Sequence, residues 1–221
     1  MTVRQPFWRS QDGASAAEFA LVLPLFLILL LGIIDAGRLA WDYNRAEKAS
    51  QVGARAAIVT NVLSSGLQEE DYAGKSYGGA ALAPGDRIPA EALGEVKCTS
   101  AGCTCDTSKG NCPSTVGTFD SATFTNTLVA RMHAIHPGIT EDNVEVRYSG
   151  SGFGFAGSAA SSGGGGGGGG AAEQMEISPL VTVTLKNVVF HPIMLFGLVD
   201  FNLPDISTTL TAEDASGSYS N

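Results

Sequence analysis

Several residue groups have types and spacings that could do chemistry. Gly152-Phe153-Gly154-Phe155-Ala156-Gly157 satisfies the G-x-G-x-x-G pattern and follows an alternating, strand-like stretch. A dinucleotide turn must also open a helix whose amino terminus receives the pyrophosphate. Here the chain runs into Ser158-Ala159-Ala160-Ser161-Ser162 and eight glycines, Gly163–Gly170, so no nucleotide site is expected. His133 and His136 stand three apart, but no carboxylate or third histidine is spaced to complete a metal set, and His191 is isolated. Cys98, Cys103, Cys105 and Cys112 lie within fifteen residues. Thiolate zinc sites favour two pairs with two to four residues between ligands; here six separate Cys105 from Cys112 and one separates Cys103 from Cys105. Two disulfides are the better reading. Of the three pairings four cysteines allow, the one joining Cys103 to Cys105 is disfavoured, and the sequential and crossed ones stay open. Glu69-Glu70-Asp71 reads as solvated surface. No nucleophile elbow, phosphate loop or metalloprotease signature is present, so no catalytic residue, cofactor or metal is expected and the chain is not read as an enzyme.

One carboxylate remains, and its surroundings set the class of protein. Ala16 to Ile34 is nineteen residues with a single charge, Glu18, and Phe19–Ile34 is a charge-free run of sixteen. A bilayer-crossing helix needs about 20 mainly apolar residues, so the run spans with help from Ala14–Ala17 and local thinning. A removable signal needs small residues at −3 and −1 just after the apolar stretch, and Ile33-Ile34-Asp35-Ala36-Gly37-Arg38 offers a poor site. Retention in the membrane is expected, with Phe19, Leu23, Pro24, Ile28, Gly32 and Ile34 in the anchor and Pro24 and Gly32 as points where it softens. An ionisable group beside hydrocarbon is interfacial or functional. If the chain is cut after Gly13, Ala14 becomes residue one and Glu18 residue five, one helical turn from a free ammonium. In a bundle that carboxylate could pair with a neighbour's amino terminus. The whole chain has 221 residues, 13 Lys+Arg against 22 Asp+Glu and a net charge of −9, which disfavours nucleic acid as a partner.

Gly13-Ala14-Ser15-Ala16-Ala17-Glu18-Phe19-Ala20-Leu21-Val22-Leu23-Pro24, followed by Gly32-Ile33-Ile34-Asp35-Ala36-Gly37-Arg38, resembles the start of TadE-like proteins. These are minor pseudopilins of the Flp (tight-adherence, type IVc) pilus system. The resemblance covers about fifty residues and implies cleavage by a prepilin peptidase after Gly13, a mature terminus at Ala14, and Glu18, next to Phe19, as the assembly carboxylate. It implies as partners membrane lipid, that peptidase, other pilins and pseudopilins, and the Tad assembly platform. Asp35 stands where glutamate is more usual in the family.

Basic residues on both sides of the span leave orientation undecided by count alone. Residues 64–221 carry 7 basic and 17 acidic side chains, and a short leader inside with a large acidic domain outside is the simpler assignment. The protein is therefore placed in the cytoplasmic membrane, single-pass, with its C-terminal domain periplasmic or extracellular. Beyond the span, helix is expected to continue to Leu63, with Arg38 and Asp42 at i,i+4. Val52, Ala56, Val59 and Leu63 form a stripe, and Ala46, Ala49, Ser50, Gly53, Ala56 and Ala57 form a face almost free of bulk. That face suits close packing, either on the protein's own domain or between subunits. A helix from Ala16 to Leu63 is about 72 Å long, twice the bilayer thickness.

Four regions are expected: a leader 1–13, a transmembrane and protruding helix 14–63, a variable disulfide-bearing loop region 64–120, and an α+β domain 121–221 with a Gly-rich hairpin loop 150–172. In the last, Phe124, Leu128, Met132 and Ile135 mark a helix. Val144–Tyr148, Val181–Leu185 and Ile206–Ala212 alternate as strands, and Pro192–Phe201 is an apolar, helical or irregular piece. The expected fold class is α+β: a long amino-terminal helix, its transmembrane half followed by a protruding amphipathic half, packed on a small antiparallel sheet, pilin-like, in a single-pass membrane protein. Two rival readings stand beside it. One is an unprocessed signal-anchored envelope protein with a ligand- or partner-binding extracytoplasmic domain; the other is a metal-binding periplasmic domain.

Overall fold

The computed structural model describes residues 13–77, 79–158, 175–193 and 200–212. The expected leader before Gly13, the glycine tract and the middle of the apolar piece 192–201 lie outside the described residues. The chain separates into two compact units, residues 1–42 with 189–201, and residues 43–188 with 202–221.

Helix α1 (Ala14–Val59) runs for 46 residues and continues through Pro24 and Gly32. Alanine, leucine and other unbranched side chains dominate it, and these lose little rotamer freedom in a helix. It stops four residues before the expected Leu63. Thr60 donates to the Ala56 carbonyl at 2.9 Å. Beyond it the backbone finds partners in the sheet region: Leu63 N–H donates to the Tyr148 hydroxyl at 3.2 Å, and the Leu63 carbonyl accepts from Asp120 N–H at 2.9 Å. Those contacts, invisible to local propensity, end the helix.

In the larger unit, a short helix α2 (Ser65–Gln68) and a two-stranded ribbon of β1 (Ser76–Tyr77) and β2 (Ala80–Ala81) precede the main sheet. That sheet is antiparallel and five-stranded. It contains β3 (Glu95–Thr99), β4 (Gly102–Asp106), β5 (Val144–Ser149), β6 (Leu180–Leu185) and, after a second ribbon formed by β7 (Val189–Phe190) and β8 (Phe201–Asn202), β9 (Ile206–Thr211). Its order is β4-β3-β5-β6-β9. Strands β5, β6 and β9 occupy the three expected stretches. Strands β3 and β4 do not follow expectation: they come from the stretch 64–120 read as a loop region, and β3 pairs directly with β5. The reason is their composition. The inward positions of β4 are Cys103 and Cys105, opposite Cys98 and Val96, so half of the apolar alternation is written in cysteine.

Side chains alternate between two faces of the sheet. Val96, Cys98, Val146, Tyr148, Val181 and Val183 are fully buried. Against them pack the second half of α1 and a helical segment that begins as π-helix, Thr123–Val129, and continues as α3 (Ala130–Ile135). Phe124, Leu128 and Met132 are buried, whereas Ile135 is half-buried. The i→i+5 bonding of a π-turn widens the helix, which keeps residues spaced by four on one side. From α1 the buried side chains are the small ones: Ala46, Ala49, Ser50, Ala54, Ala56 and Ala57, with Gly53. Val52 and Val59 are only half-buried. The small-residue face therefore packs on the chain's own core. Ser50 donates its hydroxyl towards the Val183 carbonyl at 3.3 Å and lies 2.9 Å from Thr208 Oγ1, a polar tie between helix and sheet.

Candidate functional site

The first 29 residues of α1 divide into an exposed amino-terminal turn, an apolar stretch and a polar segment around Asp35. Gly13 and Ala14 sit exposed at the helix start. Glu18 follows one turn later, exposed and without a partner among the described residues. Phe19 is 64% exposed, and Pro24, Ile28 and Ile34 are exposed too, with Leu23 and Gly32 intermediate. The most apolar window of α1 has a mean hydropathy of 2.7, and none of it is buried within the protein. Leaving an aliphatic or aromatic side chain in water instead of an apolar medium costs about 1.5–3 kcal/mol each. A row such as Leu21, Leu25, Phe26, Ile28 and Leu29 therefore demands a cover that the described residues do not supply. By length and composition the helix can cross a bilayer.

Asp35, immediately after the apolar stretch, is 4% exposed. It accepts a hydrogen bond from Arg38 Nη1 at 3.2 Å and another from the backbone N–H of Ile193, also at 3.2 Å. The Arg38 guanidinium lies over the Phe190 ring, 5.5 Å from its centroid. The helical count offered Arg38 only Asp42. Its partner Asp35 and the segment that buries Asp35 were both missed, and no local signal points to a contact 158 residues away.

The remaining candidates are engaged structurally. Cys98 is bonded to Cys103 and Cys105 to Cys112, so of the two open pairings the sequential one is present and none of the four thiols is free to ligate zinc. His133 Nδ1 lies 2.9 Å from the Ile139 carbonyl oxygen, and His136 Nδ1 accepts from Gly138 N–H at 3.1 Å; both rings serve the turn that follows α3. In the G-x-G-x-x-G stretch, a Cβ on Gly154 would come within 2.3 Å of the Glu176 carbonyl oxygen, and Gly154 has φ +137. Close backbone approach explains that glycine. Glu70, expected on solvated surface, is instead buried at 7% exposure. It pairs with Lys75 and accepts from Ser114 N–H at 3.0 Å.

The outer face of the sheet carries a charge network. Glu145 pairs with Arg147 Nε at 2.5 Å and Lys186 Nζ at 3.0 Å, and Glu95 pairs with Lys109 Nζ at 3.0 Å. Burial opposes ionisation of Glu145, but the hydrogen bonds from Lys186 and Arg147 outweigh it and hold the carboxyl below its ordinary range.

An exposed apolar helix opening on a glycine-alanine step, joined to a disulfide-bearing α+β unit, defines an α+β chain with one helix suited to single-pass membrane anchoring. The family model described as TadE-like protein matches residues 13–55, so that segment of the chain is similar to TadE-like proteins. No curated protein and no solved structure is significantly similar to it.

Proposed function

We propose that the chain is a minor pseudopilin of the tight-adherence pilus system, held in the cytoplasmic membrane by the first half of α1, with its C-terminal domain outside the cytoplasm. A prepilin peptidase cuts between Gly13 and Ala14. The cut creates an ammonium at the head of a helix whose next turn carries Glu18. A carboxylate beside hydrocarbon is costly unless paired, and a neighbouring subunit's ammonium is the complementary charge. Because Ala14 and Glu18 are four residues apart, a neighbour shifted along the helix axis by about 6 Å brings its terminus level with Glu18. Lateral association of such subunits with other pilins and the assembly platform supports pilus assembly.

The observation that carries this reading is the order of features along one exposed helix: a Gly13–Ala14 step, Glu18 one turn later, then an apolar surface that none of the described residues covers. The family match beginning at residue 13 supports it. Two disulfides, which persist outside the cytoplasm, support the orientation. The test is amino-terminal sequencing of the wild-type protein and Gly13→Asp from cells that hold the peptidase. The wild type is expected to begin at Ala14 and Gly13→Asp to keep the leader and migrate more slowly. A wild-type chain that begins at Met1, or equal mobility of the two, overturns the proposal.

A further inference from the structure

Asp35 is the first charged residue after the apolar stretch, and its near-complete burial sets it apart on a helix surface that is otherwise open. A carboxylate stripped of water so close to hydrocarbon requires charged or hydrogen-bonding partners. Those partners are Arg38 and the Ile193 N–H, while Arg38 also covers Phe190. Two contacts thus hold residues 190–193 against α1 at the position where the apolar run ends, and the Arg38–Asp35 pair braces both. The side chains delivered there are themselves uncovered. Ile193 is 62% exposed, Phe201 45% and Val189 39%, and Trp41 of α1, in the same compact unit, is 68% exposed. His191 and Asp200, an exposed pair at 2.8 Å, give the patch a polar rim. The sequence joining Ile193 to Asp200 contains no charged residue.

We infer that Val189, Ile193 and Phe201 form a second membrane contact, seated in the headgroup and upper acyl region of the same bilayer that α1 crosses. The inference rests on the reading of α1 as a membrane span. Lipid is the occupant because the patch continues the uncovered apolar surface of α1 and is flanked by the residue types that the interface collects. Trp41 is an amphipathic ring, and Arg38 is a cation whose guanidinium lies over the Phe190 ring and pairs with Asp35. Asp35 is then the positioning residue that ties the second contact to the first.

The full chain, reconstituted in phosphatidylethanolamine–phosphatidylglycerol vesicles, tests this with single tryptophans in a Trp8→Phe/Trp41→Phe background. Lipids brominated either near the headgroup or deep in the acyl chain serve as quenchers. Ile193→Trp is expected to emit to the blue of a water-exposed tryptophan and to be quenched more by the shallow bromines. Phe26→Trp, within the span, is expected to be quenched more by the deep ones, and Thr209→Trp, on the exposed face of the sheet, by neither. Adding Asp35→Ala, or the milder Asp35→Asn if the first fails to fold, is expected to reduce quenching at position 193 and leave position 26 unchanged. If Ile193→Trp is unquenched while Phe26→Trp is quenched, the second contact is wrong and the span stands. A blue-shifted but unquenched Ile193→Trp means a protein covers the patch, which also overturns the inference. Loss of quenching at both positions removes the span itself. Quenching at 193 that ignores both Asp35 substitutions refutes the anchoring role.

Discussion

Gly53→Ala sets two effects of opposite sign against each other. In the interior of a helix alanine is favoured over glycine by about 1 kcal/mol, so the substitution alone would stabilise α1. A Cβ at this position, however, would lie 2.5 Å from Met132 Sδ, 3.0 Å from its Cγ and 3.2 Å from its Cε. Met132 is unbranched and adaptable, but it is fully buried, so moving it disturbs packed neighbours. Overpacking of that kind costs about 1–3 kcal/mol. The balance is a net loss of about 1 kcal/mol for Gly53→Ala, and of more for Gly53→Val, which adds two further methyls and a branched Cβ. Guanidinium unfolding of the full chain in mild detergent, followed by far-UV circular dichroism, reads these changes. Met132→Ala alone is expected to cost about 2–5 kcal/mol. In the double variant the new methyl enters the space vacated by Met132, so the two losses are less than additive, with a coupling of about 1–3 kcal/mol. If Gly53→Ala is instead stabilising by about 1 kcal/mol and additive with Met132→Ala, the close approach of α1 to the core is wrong. The stake is the small-residue face, which this close approach keeps engaged within the chain.

Two further outcomes follow from buried polar groups. The folded-state pKa of Glu145 lies below its unfolded value, so its contribution is present above the unfolded value and is lost as pH falls through the folded one. Melting temperatures measured from neutral to acid pH should show that loss, and Glu145→Gln should flatten the acid limb while costing about 1 kcal/mol at neutral pH, the partners being partly exposed. Tyr148→Phe leaves the Leu63 N–H without its acceptor. A lost buried bond of this kind costs about 1–3 kcal/mol, and at 3.2 Å the low end applies; hydrogen exchange at the Leu63 amide should quicken.

Legibility in the sequence followed the kind of residue that carried each pattern. Strands β5, β6 and β9 were readable because Val, Ile, Leu and Tyr alternate with Thr, Ser and charged residues. Strand β3 alternates as well, as Glu95-Val96-Lys97-Cys98-Thr99, but one of its two inward residues is a cysteine, and on β4 both are. Disulfide counting treated those positions as staples and so concealed the strands they sit on. The apolar half of α1 was legible because its chemistry is local: one unbroken run of side chains. Asp35 was not, because its meaning depends on the distant Ile193 N–H. The same holds for Glu70, whose burial is set by Ser114 on a separate loop, and for the end of α1, which is decided by Tyr148 and Asp120. The bulk-free face of α1 was evident as a pattern, but only the packed structure distinguishes a surface for the chain's own sheet from one for a neighbour.

The cystine between Cys98 and Cys103 joins β3 to an outermost strand, β4, whose free flank is open to pairing. An unpaired strand flank is a template for unwanted association, and the covalent latch limits how far this one can fray. Its presence depends on redox surroundings. Where thiols stay reduced, β4 is kept by backbone pairing alone, so this edge is where the sheet would first come apart.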